Sequence, residues 1–191
     1  MTLRLTEIHP SVVHFPIALL PASLALDAAG KATGDSGLSR AGAVLMPAAL
    51  GGALVAAVAG VLAQGAGRFR DRESHEHLVT HRTLNTALTV AMAAMTVHRL
   101  RQRTPGPGYL LAGLAAVAAM GYSAYLGGRM TYEHGVGVAA AGGLRDETTI
   151  GEDSVGSVAR NAVADVVRAE KETLEETARG EFVPSLRPSG A

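Results

Sequence analysis

Four long apolar runs constrain the fold of this chain more than any other feature. They cover residues 10–29, 41–64, 84–97 with an extension from residue 78, and 108–126. A bilayer core about 30 Å thick is crossed by roughly 20 helical residues, and the third run reaches that length only through polar positions. The runs lack the polar face of a soluble helix, so the sequence predicts an all-α fold, a bundle of four transmembrane helices.

Charge divides the chain into an apolar body and an acidic tail. Residues 1–143 carry eleven Lys and Arg against seven Asp and Glu, whereas residues 144–191 carry six against ten. We expect a four-helix transmembrane domain, a glycine-rich and acidic linker, and a polar tail, over residues 1–138, 139–153 and 154–191. Apolar residues at helical spacing predict one amphipathic helix over 154–178, with disorder after it. We expect that helix to pack on a redox or membrane protein partner, or on the chain itself.

Composition excludes several kinds of site. The chain has no cysteine, so it has no disulfide, thiolate metal site, cysteine-ligated iron–sulfur cluster or covalently attached c-type haem. It shows no nucleophile motif, phosphate-binding loop or nucleic-acid patch. We therefore expect a lipid bilayer as the main partner, no nucleic acid, and no enzyme activity.

The seven histidines are the strongest indication of function. On four antiparallel helices, six of them come to one side of the membrane and only His98 lies on the other. His14 lies inside an apolar run, where ionisable residues are rare and usually functional. His81 lies one helical turn before Asn85, so the two share a helix face. His75 and His77 fall in a polar segment, and we expect them to be solvated.

Histidines from different helices could hold a cofactor at this side. The candidate site residues are His9, His14, His81 and His134, with Asn85 and Tyr132 as supporting hydrogen-bond donors. Imidazole is a common metal ligand and an axial ligand of haem, so one hypothesis is haem b held by His14 and His81, with His9 and His134 as alternates. A second is a bare metal on His14, His81 and His134. A third is a non-redox accessory or assembly subunit whose histidines are structural.

Three stretches resemble the DUF2231 family, small bacterial membrane proteins of unknown function. They are "HPSVVHFPIA" from residue 9, followed by Asp27 in the same run, then His81 with Asn85, and "GGRMTYEHGVGV" from residue 127. The resemblance covers residues 8–138 and implies a four-helix membrane domain without an established activity. Similar domains occur in proteins that carry c-type cytochrome or Rieske modules, which implies a redox setting. This chain has no such module.

The orientation in the plasma membrane is not decided by charge. Five Lys and Arg flank the runs on the histidine side and five on the other side, so the excess that marks cytoplasmic loops is missing. The redox setting implied by the resemblance favours a histidine face and a tail outside the cytoplasm. Asp27, near Lys31, is expected to be a membrane-interface residue. The leading hypothesis is a multi-pass membrane protein that passes electrons to a partner.

Overall fold

A computed structural model describes residues 3–102, 104–143, 149–150 and 155–180. Six helices account for most of them: α1 Leu5–Val12, α2 His14–Thr33, α3 Ser36–Ala66, α4 Arg72–Arg101, α5 Pro107–Tyr132 and α6 Val155–Ala178. A 3₁₀ turn covers Ala139–Ala141, and the two-residue strands β1 (Leu3–Arg4) and β2 (Thr149–Ile150) pair antiparallel.

Short polar and glycine residues set the ends of the long helices. The Asp35 carboxylate accepts hydrogen bonds from the backbone N–H groups of Gly37 and Leu38 at the start of α3 (2.7 and 3.3 Å), and Asp71 accepts from Ser74 N–H at the start of α4 (2.7 Å). These are N-caps, which satisfy donors that the first turn leaves free. Gly34 ends α2 with a positive φ of 74°, a conformation that glycine adopts without strain.

Four long helices form a closed bundle. The α2, α3, α4 and α5 helices each pack against the next, and α5 packs back on α2. The core holds leucine, methionine and alanine side chains, among them Leu20, Met46 and Met92. Small residues allow the close approaches, since a Cβ built on Gly42 would lie within 3 Å of the Asp27 carboxylate. Such packing is typical of helices that associate without a hydrophobic driving force.

Three helical segments of the described chain are long and apolar enough to cross a membrane: Glu7–Thr33, Ser36–Ala66 and Pro107–Tyr132. The first consists of α1 and α2, joined through a turn at Val13. Large apolar side chains such as Val44 and Leu111 point outward (68% and 67% exposed), as expected for lipid contact. The chain is therefore a helical membrane protein with three candidate spans.

The predicted third span forms a helix, but a longer and more polar one than the apolar run indicated. It begins at Arg72 rather than near residue 78, because Asp71 caps it there, and it continues to Arg101. It does not meet the composition of a membrane span. A fourth transmembrane helix is thus not confirmed by composition.

The tail helix, predicted over 154–178, is found at Val155–Ala178 and packs on α3 and α4. The Arg82 guanidinium donates to the Glu176 carboxylate and to Gln64 Oε1, and Thr86 Oγ1 donates to Glu170 (3.0 Å). The helix therefore covers a polar part of α4 in its own chain. The predicted disorder falls mainly on residues 181–191, which lie outside the described part, as do 144–148 and 151–153 of the predicted linker.

Asp27 is not the interface residue that the sequence predicted. It is fully buried beside Arg99, which is 2% exposed. Arg99 Nε donates to both carboxylate oxygens (3.0 and 2.9 Å) and Nη2 donates to Oδ1 (2.7 Å). The same guanidinium donates to the carbonyls of Ser39 and Gln102. A hydropathy profile does not reveal that Asp27 is buried in an ion pair, because its partner Arg99 lies 72 positions away in the sequence.

Candidate functional site

Two helices and one turn bring histidines to one end of the bundle. His9 comes from α1, His77 and His81 from successive turns of α4, and His134 from the turn after α5. The ring contacts form two pairs, His9 with His81 and His77 with His134. Since four residues rise about 6 Å along a helix, the two pairs are neighbouring but separate sites.

The first pair joins α1 to α4 across the bundle. The ring centroids of His9 and His81 lie 6.4 Å apart, with the ring planes at 82°. His9 Nδ1 lies 2.9 Å from the carbonyl oxygen of Ala56, and His81 Nδ1 lies 2.9 Å from that of Ser123. A carbonyl only accepts, so each Nδ1 carries the proton and each Nε2 keeps its lone pair. This is how proteins orient imidazoles that bind a metal.

Ser123 and Asn85 extend this pair into a small polar network. Asn85 Nδ2 donates to Ser123 Oγ (2.6 Å) and to the backbone oxygen of His81 (2.7 Å). Ser123 Oγ lies 3.0 Å from His81 Nδ1. The His81 ring is therefore held by Ser123 of α5, and Asn85 of α4 holds the Ser123 hydroxyl. The predicted shared face of His81 and Asn85 is present, and no sequence pattern indicated that Ser123 belongs to the network.

Glycines give the two rings their space. A Cβ built on Gly60 would lie 3.0 Å from His9 Nδ1, and one built on Gly127 would lie 3.4 Å from His81 Cε1. Imidazole nitrogens ligate both haem iron and transition-metal ions. With ring centroids 6.4 Å apart, His9 and His81 could hold such a group. The donor set, two neutral imidazoles, is that of a bis-histidine haem.

The second pair lies at the first turns of α4. His77 and His134 have ring centroids 5.5 Å apart, and the Glu73 carboxylate joins them, so that one donor atom from each residue lies within 4.8 Å of the others. The expectation that His77 is solvated is wrong, since its side chain is fully buried. Extension of the helix to Arg72 turns His77 inward. His75 is half-exposed and lies 3.4 Å from Glu176.

Each ring of the second pair has one partnered and one unpartnered nitrogen. His77 Nδ1 lies 2.7 Å from the Glu73 carbonyl oxygen, and His134 Nδ1 lies 3.4 Å from Asp71 Oδ2. The Nε2 atoms of both rings are buried without a hydrogen-bond partner. Such buried polar atoms are rare and call for an explanation.

Acidic side chains surround the second pair. The Ser74 N–H lowers the pKa of Asp71, and the Arg129 guanidinium lowers the pKa of Glu133, so both are ionised at neutral pH. Arg129 Nη2 contacts Glu133 at 2.5 Å and Glu73 Oε1 at 3.2 Å. Glu73 and Glu133 thus share the Arg129 guanidinium, while Asp71 lies beside His134.

The structure does not place all the predicted site residues together. His14 is exposed on the first turn of α2 and Tyr132 is 90% exposed, so neither lies among the paired rings. His134 joins His77 and Glu73 rather than His81. One sequence pattern could have predicted that Glu73 and His77 belong to a site. The spacing Glu73-x-x-x-His77-x-x-x-His81 places all three residues on one face of a helix.

The chain matches the model of a protein family. A family model described as "Predicted membrane protein (DUF2231)" matches residues 6–140. That range contains both histidine pairs. No curated protein and no solved structure matches the chain.

Proposed function

The chain belongs to the DUF2231 family of predicted membrane proteins, and for this member we propose that haem b binds between His9 and His81 and carries electrons to or from a partner. The observation behind the proposal is the 6.4 Å separation of two rings from different helices. Each ring keeps its Nε2 lone pair because its Nδ1 donates to a carbonyl. Bound haem would supply one-electron chemistry.

The exposed face of α6 supports docking of a redox or membrane protein partner. The side chains of Arg168, Lys171 and Glu175 are 68%, 78% and 55% exposed. They lie on the tail helix, next to α4, which carries His81. Charged faces of this kind steer partners and set their orientation more than they add affinity.

The proposal is tested by an optical spectrum of untagged protein purified in detergent from cells that make haem. We expect a Soret band in the oxidised protein and sharp α and β bands after dithionite reduction. His81→Ala should lose these bands, because it removes one of the two proposed haem ligands. The control is His98→Ala, at the other end of α4, which should keep them. A featureless visible spectrum of the wild type would overturn the proposal.

A further inference from the structure

We propose that Glu73, His77 and His134 form a binding site for a divalent transition-metal ion of the zinc type, separate from the His9–His81 pair. One donor atom from each residue lies within 4.8 Å of the other two. In a tetrahedral site with bonds of about 2.1 Å, ligand atoms are roughly 3.4 Å apart. Small rotations of the three side chains therefore close the site around an ion.

The unpartnered nitrogens point to an ion. His77 Nε2 and His134 Nε2 are buried and have no hydrogen-bond partner, and the His77 side chain is fully buried. A buried polar atom left in that state costs about 1–3 kcal/mol. An ion bound to both atoms removes that cost, and it uses lone pairs that nothing else in the surroundings uses.

The other nitrogen of each ring is held as in known metal sites. A histidine ligand donates its second N–H to a carbonyl or carboxylate, which fixes the ring and raises its basicity. His77 Nδ1 is 2.7 Å from the Glu73 carbonyl oxygen, and His134 Nδ1 is 3.4 Å from Asp71 Oδ2. Both Nδ1 atoms therefore have partners, and the two Nε2 atoms are the available ligands.

Charge around the site favours a cation. The Asp71 carboxylate lies beside His134, and Glu73 and Glu133 both contact the Arg129 guanidinium. Arg129 contacts Glu133 more closely than Glu73, at 2.5 Å against 3.2 Å. Glu133 can therefore hold the guanidinium while Glu73 turns to the ion. Since the Glu73 side chain is 48% exposed, the ion can enter from solvent on that side.

The ligand types select the class of metal. Two imidazoles and one carboxylate suit zinc and its neighbours in the first transition row, and they do not suit calcium or magnesium. Three protein ligands leave one position open for water or another small ligand. The ion would also join α4 to the turn after α5, where Gly135 and Gly137 take positive φ values of 66° and 77°.

The test is metal binding by full-length protein without a polyhistidine tag, purified in detergent and stripped with a chelator. Zn²⁺ is titrated by calorimetry, and Co²⁺ is added to read the coordination geometry from its visible spectrum. We expect one ion per chain and the intense bands of tetrahedral cobalt. Binding should persist in His81→Ala and His98→Ala, which keep all three proposed ligands.

Variants of the site distinguish it from other histidines. His77→Ala and His134→Ala should each lose the ion. Asp71→Asn should weaken binding about 10- to 100-fold, because it removes the charge of the His134 partner while asparagine can still cap α4. If His77→Ala does not fold, His134→Ala and Glu73→Gln, which change less buried side chains, decide the outcome. Absence of one-to-one binding by the wild type, or unchanged binding in His134→Ala and Glu73→Gln, would overturn the inference. Persistence in His81→Ala separates this result from the fate of the haem proposal.

Discussion

Asp27 and Arg99 show how much one buried pair of residues contributes to a membrane bundle. Five hydrogen bonds from the guanidinium reach the Asp27 carboxylate and the carbonyls of Ser39 and Gln102. They join α2 to the start of α3 and to the end of α4. Removal of one partner leaves the other charge buried and uncompensated.

We predict that Asp27→Ala lowers the free energy of unfolding by about 3–5 kcal/mol, because it strands the Arg99 guanidinium. The measurement is thermal unfolding in detergent, followed by circular dichroism. Lys31→Ala, one helical turn away and exposed, is the matched control and should stay within about 0.5 kcal/mol of the wild type. An Asp27→Ala variant as stable as the control would contradict a structural role for the pair.

Sequence patterns predicted the contacts that are local along a helix and missed those between distant residues. Asn85 lies beside His81 because four residues make one turn, and that could be read from the spacing. The partner of His9 is the Ala56 carbonyl, 47 positions away, and no local pattern indicates it. The preference for His14 over His9 was reasonable from hydropathy, but the α1–α2 turn at Val13 leaves His14 on the outside.

At the scale of elements, α4 differs from the other long helices. Its polar side chains meet partners inside the protein: Asn85 meets Ser123, Arg82 meets Glu176 and Gln64, and Thr86 meets Glu170. Polar groups of a membrane helix are tolerated when they are satisfied within the bundle. Hydropathy sums residues one by one and does not register such partners. The sequence thus predicted the existence of this helix better than its length or character.

We predict that α4 crosses the membrane, with Arg72 outside the cytoplasm and Gln102 inside. The chain lacks cysteine, so Arg72→Cys and Gln102→Cys each introduce one thiol at an exposed end of α4. A membrane-impermeant maleimide should label the first variant in intact cells and the second only after permeabilisation. Equal labelling of both in intact cells would contradict a crossing, and the reverse pattern would contradict the orientation.

At the scale of the whole molecule, the buried ion pair lies toward one end of the bundle and the histidines lie toward the other. Gly42 of α3 lies against Asp27, and Ala56 of the same helix accepts from His9. Fourteen helical residues span about 21 Å, so an apolar core lies between the ion pair and the histidines. The apolar runs and the six histidines expected on one side could be derived from sequence. The grouping of four of these histidines into two pairs required the packing of α1, α4 and α5.

The most direct measurement is the haem content per chain of His9→Ala compared with His14→Ala, both purified from cells that make haem. Because His9 faces His81 whereas His14 is exposed, we predict that His9→Ala loses the haem. His14→Ala should keep about one haem per chain, as the wild type does. Loss of haem from His14→Ala with retention in His9→Ala would contradict the proposed ligand pair.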